Sequence, residues 1–322
     1  MGREFDLIDR YFSRKVPAGY LGGGDDCALV PVAPGMQMAV STDLLIEGRH
    51  FFPDVSPFTL GHKALAVNLS DLAAMGAKPL GCVLGIAMPS INEAWLAEFA
   101  NGFYALADAA ACPLVGGDTT AADTITLCVT VFGQVDPALA LRRSAAQAGD
   151  DIWVTGVLGG PHVALQLLQG RVPPGCNNTA ALLAQVRPAL EQPLPPIAFS
   201  QGLPGLAHAA LDISDGLLQD LGHILKASRC GAQLFYDSLP VDPALAGVSQ
   251  AWQEEAVLGG GDVYQLCFTA PVSSRNAIQA LAHQHSVLAT RVGSIVPQAG
   301  QLSVTRNNGQ VVSVAQQGFQ HF

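Results

Sequence analysis

The stretch SPFTLGHKALAVNLSDLAAMGAKP, residues 56–79, reads as one helix with both ends marked. Leu65, Leu69, Leu72 and Met75 recur at intervals of three and four, which places them on one helical face. Pro57 sits near the start, where a fixed φ and a missing N–H are tolerated. Gly76 occupies the position of a left-handed C-terminal cap, and Pro79 follows. Asp71 lies three residues after Asn68, on the same face. This acid belongs to an apolar element, not to a charged surface run.

Working outward, the flanks alternate strand and helix. MQMAVSTDLL (36–45) reads as a short apolar strand ending at Ser41-Thr42-Asp43, and LGCVLGIAMP (80–89) as a buried strand. NEAWLAEFANGFYALADAAA is an amphipathic helix with Asn92 at its N-cap. PLVGGDTT closes a short strand on two glycines and an acid, and TITLCVTVFG has β-branched alternation. The pattern restarts near Asp136-Pro137 with the strand DDIWVTG, then a glycine turn and the helix GGPHVALQLLQG. RVPPGCNN is a polar surface loop. ALDISDGLLQDLGHILKAS is a strand-to-helix junction; AQLFYD, DVYQLCFTA and TRVGSIV are strands, with a helix near 274–285. The expectation is an α/β or α+β protein of two domains, 1–137 and 138–322.

The bulk numbers narrow the class. Of 322 residues, 49% are hydrophobic and 13% charged, enough for sizeable cores and against disorder. The net charge is -10, and Lys15, Lys63, Lys78 and Lys226 are the only lysines, so there is no basic footprint for nucleic acid. The cysteines, at 27, 82, 112, 128, 176, 230 and 267, form no C-x-x-C pair, which fits a reducing compartment better than a disulfide framework. No apolar run reaches the roughly 18 residues of a membrane span, and MGREFDLIDRYF lacks the apolar core of a secretory signal. These features predict a soluble cytoplasmic protein.

Seven aspartates carry the chemistry: Asp25 and Asp26 in GGGDDCALV, Asp43, Asp71, Asp118, and the pair Asp212 and Asp215 with Ser214 between them. Each borders an apolar element. Taken singly, an aspartate at such a place is equally well a cap or a turn. Taken together they suit a hard cation such as Mg²⁺, which is usually shared with substrate phosphates and lets an acidic protein bind them. The Walker phosphate loop, the dinucleotide G-x-G-x-x-G, kinase H-R-D and D-F-G, zincin H-E-x-x-H and esterase G-x-S-x-G are all absent.

GDDCALV, STDLLIEGRHF, HKALAVNLSDLAAMGAKP, VGGDTT, LDISDGLLQDLGHILKAS and GGGDVYQLCF, in this order, resemble the thiamine-monophosphate kinase family over nearly the whole chain. The resemblance implies ATP-dependent phosphorylation of thiamine monophosphate to thiamine diphosphate with several Mg²⁺ ions. It also implies the two-domain fold of aminoimidazole ribonucleotide synthetase. In that fold the N-terminal domain forms a β-barrel in a homodimer, and the active site lies in the cleft between the α/β domains. Carried over by position, Asp26, Ser41, Thr42, Asp43, Asp71, Asp118, Asp212 and Asp215 would be the metal set. Asp25 is left between the metal and the turn. Gly117, Asp118, Arg143 and Ser214 match nucleotide-contacting positions; His50, Asp262 and Phe319 match substrate-contacting ones. A surface arginine, a strand-end histidine packed on Phe51 and a core phenylalanine are the plain alternatives for Arg143, His50 and Phe319.

Two motifs in the C-terminal half depart from the family pattern. GGGDVYQL stands where the family reads GGEDYEL, so Asp262 replaces a Glu, Val263 an Asp and Gln265 a Glu. Gly159-Gly160-Pro161 replaces Gly-Asp-Ser. These losses put substrate contacts in question. Two alternatives remain: another ATP-using enzyme of the same fold, and a non-catalytic thiamine diphosphate-binding paralogue.

Overall fold

The structure is a computed structural model that describes residues 6–23 and 27–312. It divides into two compact units, Met1–Leu72 with Ala77–Ala138, and Ala73–Gly76 with Leu139–Phe322.

In the first unit the strands are β1 (Gln37–Ile46), β2 (Lys78–Met88), β3 (Leu114–Ala121) and β4 (Thr126–Val135), with helices α1 (Pro57–Ala74) and α2 (Glu93–Ala109). They form one sheet in the order β1-β4-β2-β3. β1 and β2 run antiparallel to β4, and β3 runs parallel to β2. Every second residue of β4, from Leu127 to Val135, is buried, which is the alternation of a sheet covered on one face. The helices cover it with Leu60, Leu65, Leu69, Leu72, Phe99 and Phe103. α1 and α2 approach backbone to backbone. A methyl on Gly102 would collide with the Phe58 carbonyl, and one on Gly61 with that of Phe99. The predicted ends of α1 hold: Gly76 is left-handed at φ 65, and Ala77 N donates to Leu72 O in a helix-closing turn. Asn92 accepts from Trp95 N as the expected cap.

In the second unit the elements are β5 (Asp151–Thr155), α3 (Gly160–Leu168), α4 (Thr179–Glu191), α5 (Ile197–Ser200), β6 (Ala209–Asp212), α6 (Leu217–Ser228), β7 (Gly231–Phe235), α7 (Gln250–Gly259), β8 (Leu266–Ala270), α8 (Arg275–Gln284), β9 (Ala289–Val296) and β10 (Leu302–Thr305). The sheet order is β10-β7-β9-β5-β8-β6, mixed in direction. Both faces are covered. Ile152, Val154 and Leu211 pack with Leu217, Leu221 and Ile224 of α6, while Trp153, Ala210 and Phe268 pack with Phe199 and Ile278. β5, β6 and β8 are therefore buried at every residue, without alternation.

Three strand limits differ from the sequence expectation. β1 does not end at Asp43 but pairs on to Ile46, and Asp43 faces Val129. β3 does not stop at the glycines; Asp118 lies within it, opposite Gly85. β8 begins at Leu266, because Asp262 and Tyr264 take φ of 59° and 52°, which no strand accommodates. Among the described residues no helix is long and apolar enough to cross a membrane.

Candidate active site

The expected residues are shared between the two units, and in each only some of them are brought together. Asp25, Asp26 and Phe319 lie outside the described residues.

In the first unit the strand period places Ser41 and Asp43 on the helix-covered side of β1, with Thr42 on the other. Ser41 Oγ donates to Asp71 Oδ2 at 2.5 Å, so the pleat of β1 and the inner face of α1 meet at this pair. Burial, and then the Asp71 charge, push the Asp43 carboxyl from 3.8 up to about 6. The Asp71 carboxylate is therefore held close enough to oppose the ionisation of Asp43. One helical turn before Asp71, Asn68 is fully buried; its Nδ2 donates to Ala64 O at 3.2 Å, while its Oδ1 has no hydrogen-bond partner. The acid pair and the hydroxyl make an all-oxygen donor set, which suits a hard divalent cation.

Thr42 does not join that group. Its hydroxyl donates to Val129 O at 3.0 Å and accepts from Thr130 Oγ1 at 2.8 Å, on the uncovered face. Asp118 is exposed on edge strand β3. Its neighbour Gly117 has a packing reason to be glycine, since a Cβ there would strike the Leu84 carbonyl of β2. His50 Nδ1 accepts from Ile46 N at 3.0 Å in the tight turn after β1, which leaves the neutral ring's proton on Nε2.

In the second unit Asp212 ends β6, 7% exposed. The chain then runs against the segment before β8: Ile213 N donates to Gln265 O at 2.7 Å, Tyr264 N to Ile213 O at 2.8 Å and Asp262 N to Ser214 O at 2.8 Å. Glycines make this approach possible. Gly216 has φ 126, and a Cβ on it would lie 2.6 Å from the Gly259 carbonyl; one on Gly261 would strike the Ser214 carbonyl. Ser214, Asp215 and Asp262 are thereby gathered in adjoining loops, just beyond the strand end that carries Asp212. Tyr264 Oη donates to Asp262 Oδ1 at 3.1 Å. The left-handed φ of both residues is the kind of backbone strain that collects at functional sites.

Arg143 is not brought to that turn. It is exposed in a short 3-10 helix whose Arg143 carbonyl accepts from Ser228 Oγ at 2.8 Å, at the C-terminal end of α6. Ser214 and Asp215 precede the other end, so the length of α6 separates the two by roughly 16 Å. Among the described residues no three His, Cys, Asp or Glu side chains converge on one metal position.

Two of the sequence departures have packing reasons. Val263 is buried in the core with Ile213, Leu217 and Cys267. Gln265 Oε1 accepts from Thr155 Oγ1 and its Nε2 donates to Leu194 O, both at 2.8 Å. A glutamate there has no proton to give that carbonyl. Gln265 thus fastens one wall of a cavity of about 360 Å³ lined also by Gly156, Leu194, Pro195, His285 and Leu288.

Sequence reasoning passed over Asp220. It is 4% exposed in the first turn of α6, and its Oδ2 accepts from Asp215 N and Gly216 N, each at 3.0 Å. Burial is the largest cause pushing its carboxyl from 3.8 to about 6, against those backbone N–H groups, which lower it. The available signal was an acid four residues into an apolar helix that begins on glycine.

Family comparisons follow the same two units. Residues 24–135 match AIR synthase related protein, N-terminal domain, and residues 147–304 match the C-terminal domain of that family. The thiamine-monophosphate kinase of Salmonella typhimurium is 40% identical across 99% of this chain and 98% of its own. The chain belongs to the thiamine-monophosphate kinase family. Within that family, the Escherichia coli K12 enzyme is also 40% identical over 99% of the chain. The crystal structure of the kinase from Stenotrophomonas maltophilia superposes with a TM-score of 0.83 at 40% identity, covering 96% of each chain. The structure of AaThiL complexed with AMPPCP and TMP has a TM-score of 0.76 at 26% identity, over 99% of this chain and 96% of that one. Hydrogenase maturation protein HypE, at 22% identity and a TM-score of 0.69, shares the fold.

Proposed function

We propose that this protein transfers the terminal phosphoryl group of ATP to the phosphate of thiamine monophosphate, giving thiamine diphosphate and ADP. The full-length 40% identity to thiamine-monophosphate kinases carries the reading. The acid groups support it. The nucleophile is a phosphate oxygen already ionised near neutral pH, so alignment and charge neutralisation are required, and a protein base is not. Asp43 and Asp71 with Ser41, and Asp212 with Asp215, would hold Mg²⁺, joined by Asp26, Thr42 and Asp118. Bound Mg²⁺ would neutralise the phosphate oxygens and fix their direction. Gly117, Asp118 and Ser214 would contact the nucleotide, with Arg143 doing so from the far end of α6. His50, Asp262 and Phe319 would contact thiamine monophosphate, Asp262 through a carboxylate that the Tyr264 hydroxyl orients.

The uncovered face of the first sheet supports a homodimer. Met38, Val40 and Leu44 of β1 are 46%, 58% and 55% exposed, beside Cys128 and Phe132 of β4. A second copy laid on this face would remove that apolar surface from water and complete a barrel. Free cysteines throughout suit the cytoplasm.

The test is incubation with ATP and thiamine monophosphate, with and without Mg²⁺, followed by chromatography of the thiamine species. Thiamine diphosphate and ADP should appear together, and only with the cation. Turnover solely with another phosphate acceptor would overturn the assignment.

A further inference from the structure

We propose that Asp220 is a positioning residue for this reaction: its buried carboxylate holds the Ser214–Asp215–Gly216 turn in the shape that presents Asp212, Ser214 and Asp215. The proposal rests on the kinase reading above. Asp220 is too buried to meet a nucleotide itself, so it acts through the turn.

The geometry is that of a reach-back cap. Gly216 is the N-cap of α6 and has no side chain to satisfy the first amides of the helix. Asp220 supplies the acceptor from inside the helix, its Oδ2 taking the N–H of both Asp215 and Gly216 at 3.0 Å. A carboxylate is also the favoured charge at a helix N-terminus. On the opposite side the turn is blocked. Gly216 lies against the Gly259 backbone, and the Ser214 carbonyl accepts from Asp262 N. With one side fixed by backbone contact, the Asp220 acceptor decides how far Ser214 and Asp215 project. Gln219 Nε2, one residue earlier on α6, donates to Asp215 Oδ2 at 2.9 Å, so the same helical turn orients both the backbone and the side chain of Asp215.

Without the carboxylate, one buried and one part-buried N–H lose their acceptor, and the turn shifts to find another. Asparagine keeps one acceptor oxygen for the two amides, while losing the charge and exchanging the second oxygen for a donor NH2. Serine keeps polarity but is too short to span both amides.

The experiment compares Asp220→Ala, Asp220→Asn and Asp220→Ser by steady-state kinetics with Mg²⁺, ATP and thiamine monophosphate, well below the unfolding midpoint. Ile278→Val, a fully buried core change away from the turn, serves as the stability control. Asp220→Ala should lower kcat/KM for ATP by roughly 10- to 100-fold and raise the Mg²⁺ concentration at half-saturation. The KM for thiamine monophosphate should stay within about twofold, Asp220→Asn should recover most of the loss, and Ile278→Val should move none of these values. If the alanine variant does not fold, the order asparagine above serine in kcat/KM for ATP carries the test. Wild-type Mg²⁺ dependence in alanine, or equal loss in asparagine and serine, would overturn the proposal. Absence of turnover in the unaltered protein would instead refute the kinase reading. Calorimetric titration with Mg²⁺ and AMPPCP then still compares the variants, and unchanged affinity across them refutes the positioning role.

Discussion

Replacing Gly117 by alanine puts a methyl carbon into the carbonyl oxygen of Leu84, 3.0 Å from that residue's carbonyl carbon and 3.2 Å from its nitrogen. The neighbour is backbone, so no side chain can swing aside. β3 would have to retreat from β2 by about 1 Å, which stretches a normal ladder bond beyond hydrogen-bonding distance. The affected pairs are Val83 with Gly116, Leu84 with Gly117 and Gly85 with Asp118. Two lost ladder bonds at about 1 kcal/mol each, offset by some 0.5–1 kcal/mol from a stiffer unfolded chain, leave a loss of about 1–1.5 kcal/mol. Because β3 is an edge strand, the loss should concentrate there. Hydrogen exchange read by mass spectrometry should show faster exchange in 114–121 while α1 stays protected, and urea unfolding should shift to lower midpoint. Asp118 moves with the strand, so the KM for ATP should rise. If Gly117 matters only as a nucleotide contact, KM would rise with exchange and midpoint unchanged. That result would refute the packing argument.

Further outcomes are expected. Asp43→Asn and Asp71→Asn should each cut kcat by at least about 100-fold with the fold retained, judged by circular dichroism, since each removes a ligand charge from the phosphate-neutralising set. Full activity in either would remove it from that set. Asp262→Asn, a change that tolerates the left-handed backbone, should raise the KM for thiamine monophosphate roughly 10- to 100-fold through loss of a charge-assisted contact. The KM for ATP should not change; an unchanged KM for thiamine monophosphate would place Asp262 outside the substrate contacts. Gly102→Ala should lower stability by about 1–3 kcal/mol in urea, because the Phe58 carbonyl of α1 occupies the space. Stabilisation there would contradict the close helix crossing.

Much of the fold was legible locally. The α1 periodicity, the left-handed Gly76, the Asn92 cap and the β4 alternation are short-range signals, and each appears where the residues place it. The same holds for family membership, which long ordered motifs carry. Strand ends were less legible. Asp43 and Asp118 looked terminal because acids and glycines punctuate chains, yet each is paired within a strand. Pairing with a distant neighbour overrides that preference.

The sequence by itself determined which residues are oxygen donors, the helical face that Asp71 shares with Asn68, and the family whose motifs those donors fill. Tertiary structure decided which donors meet. The Ser41–Asp71 bond joins residues 30 apart, and the Asp43 shift depends on that same approach of β1 to α1. The glycines at 117, 216 and 261 likewise acquire their reason only from the backbone that each one touches. Asp220 reads in the sequence as one more helical acid. It becomes a support for the turn only because α6 starts on a glycine pressed against another chain segment, which leaves two amides that nothing nearer in sequence can satisfy.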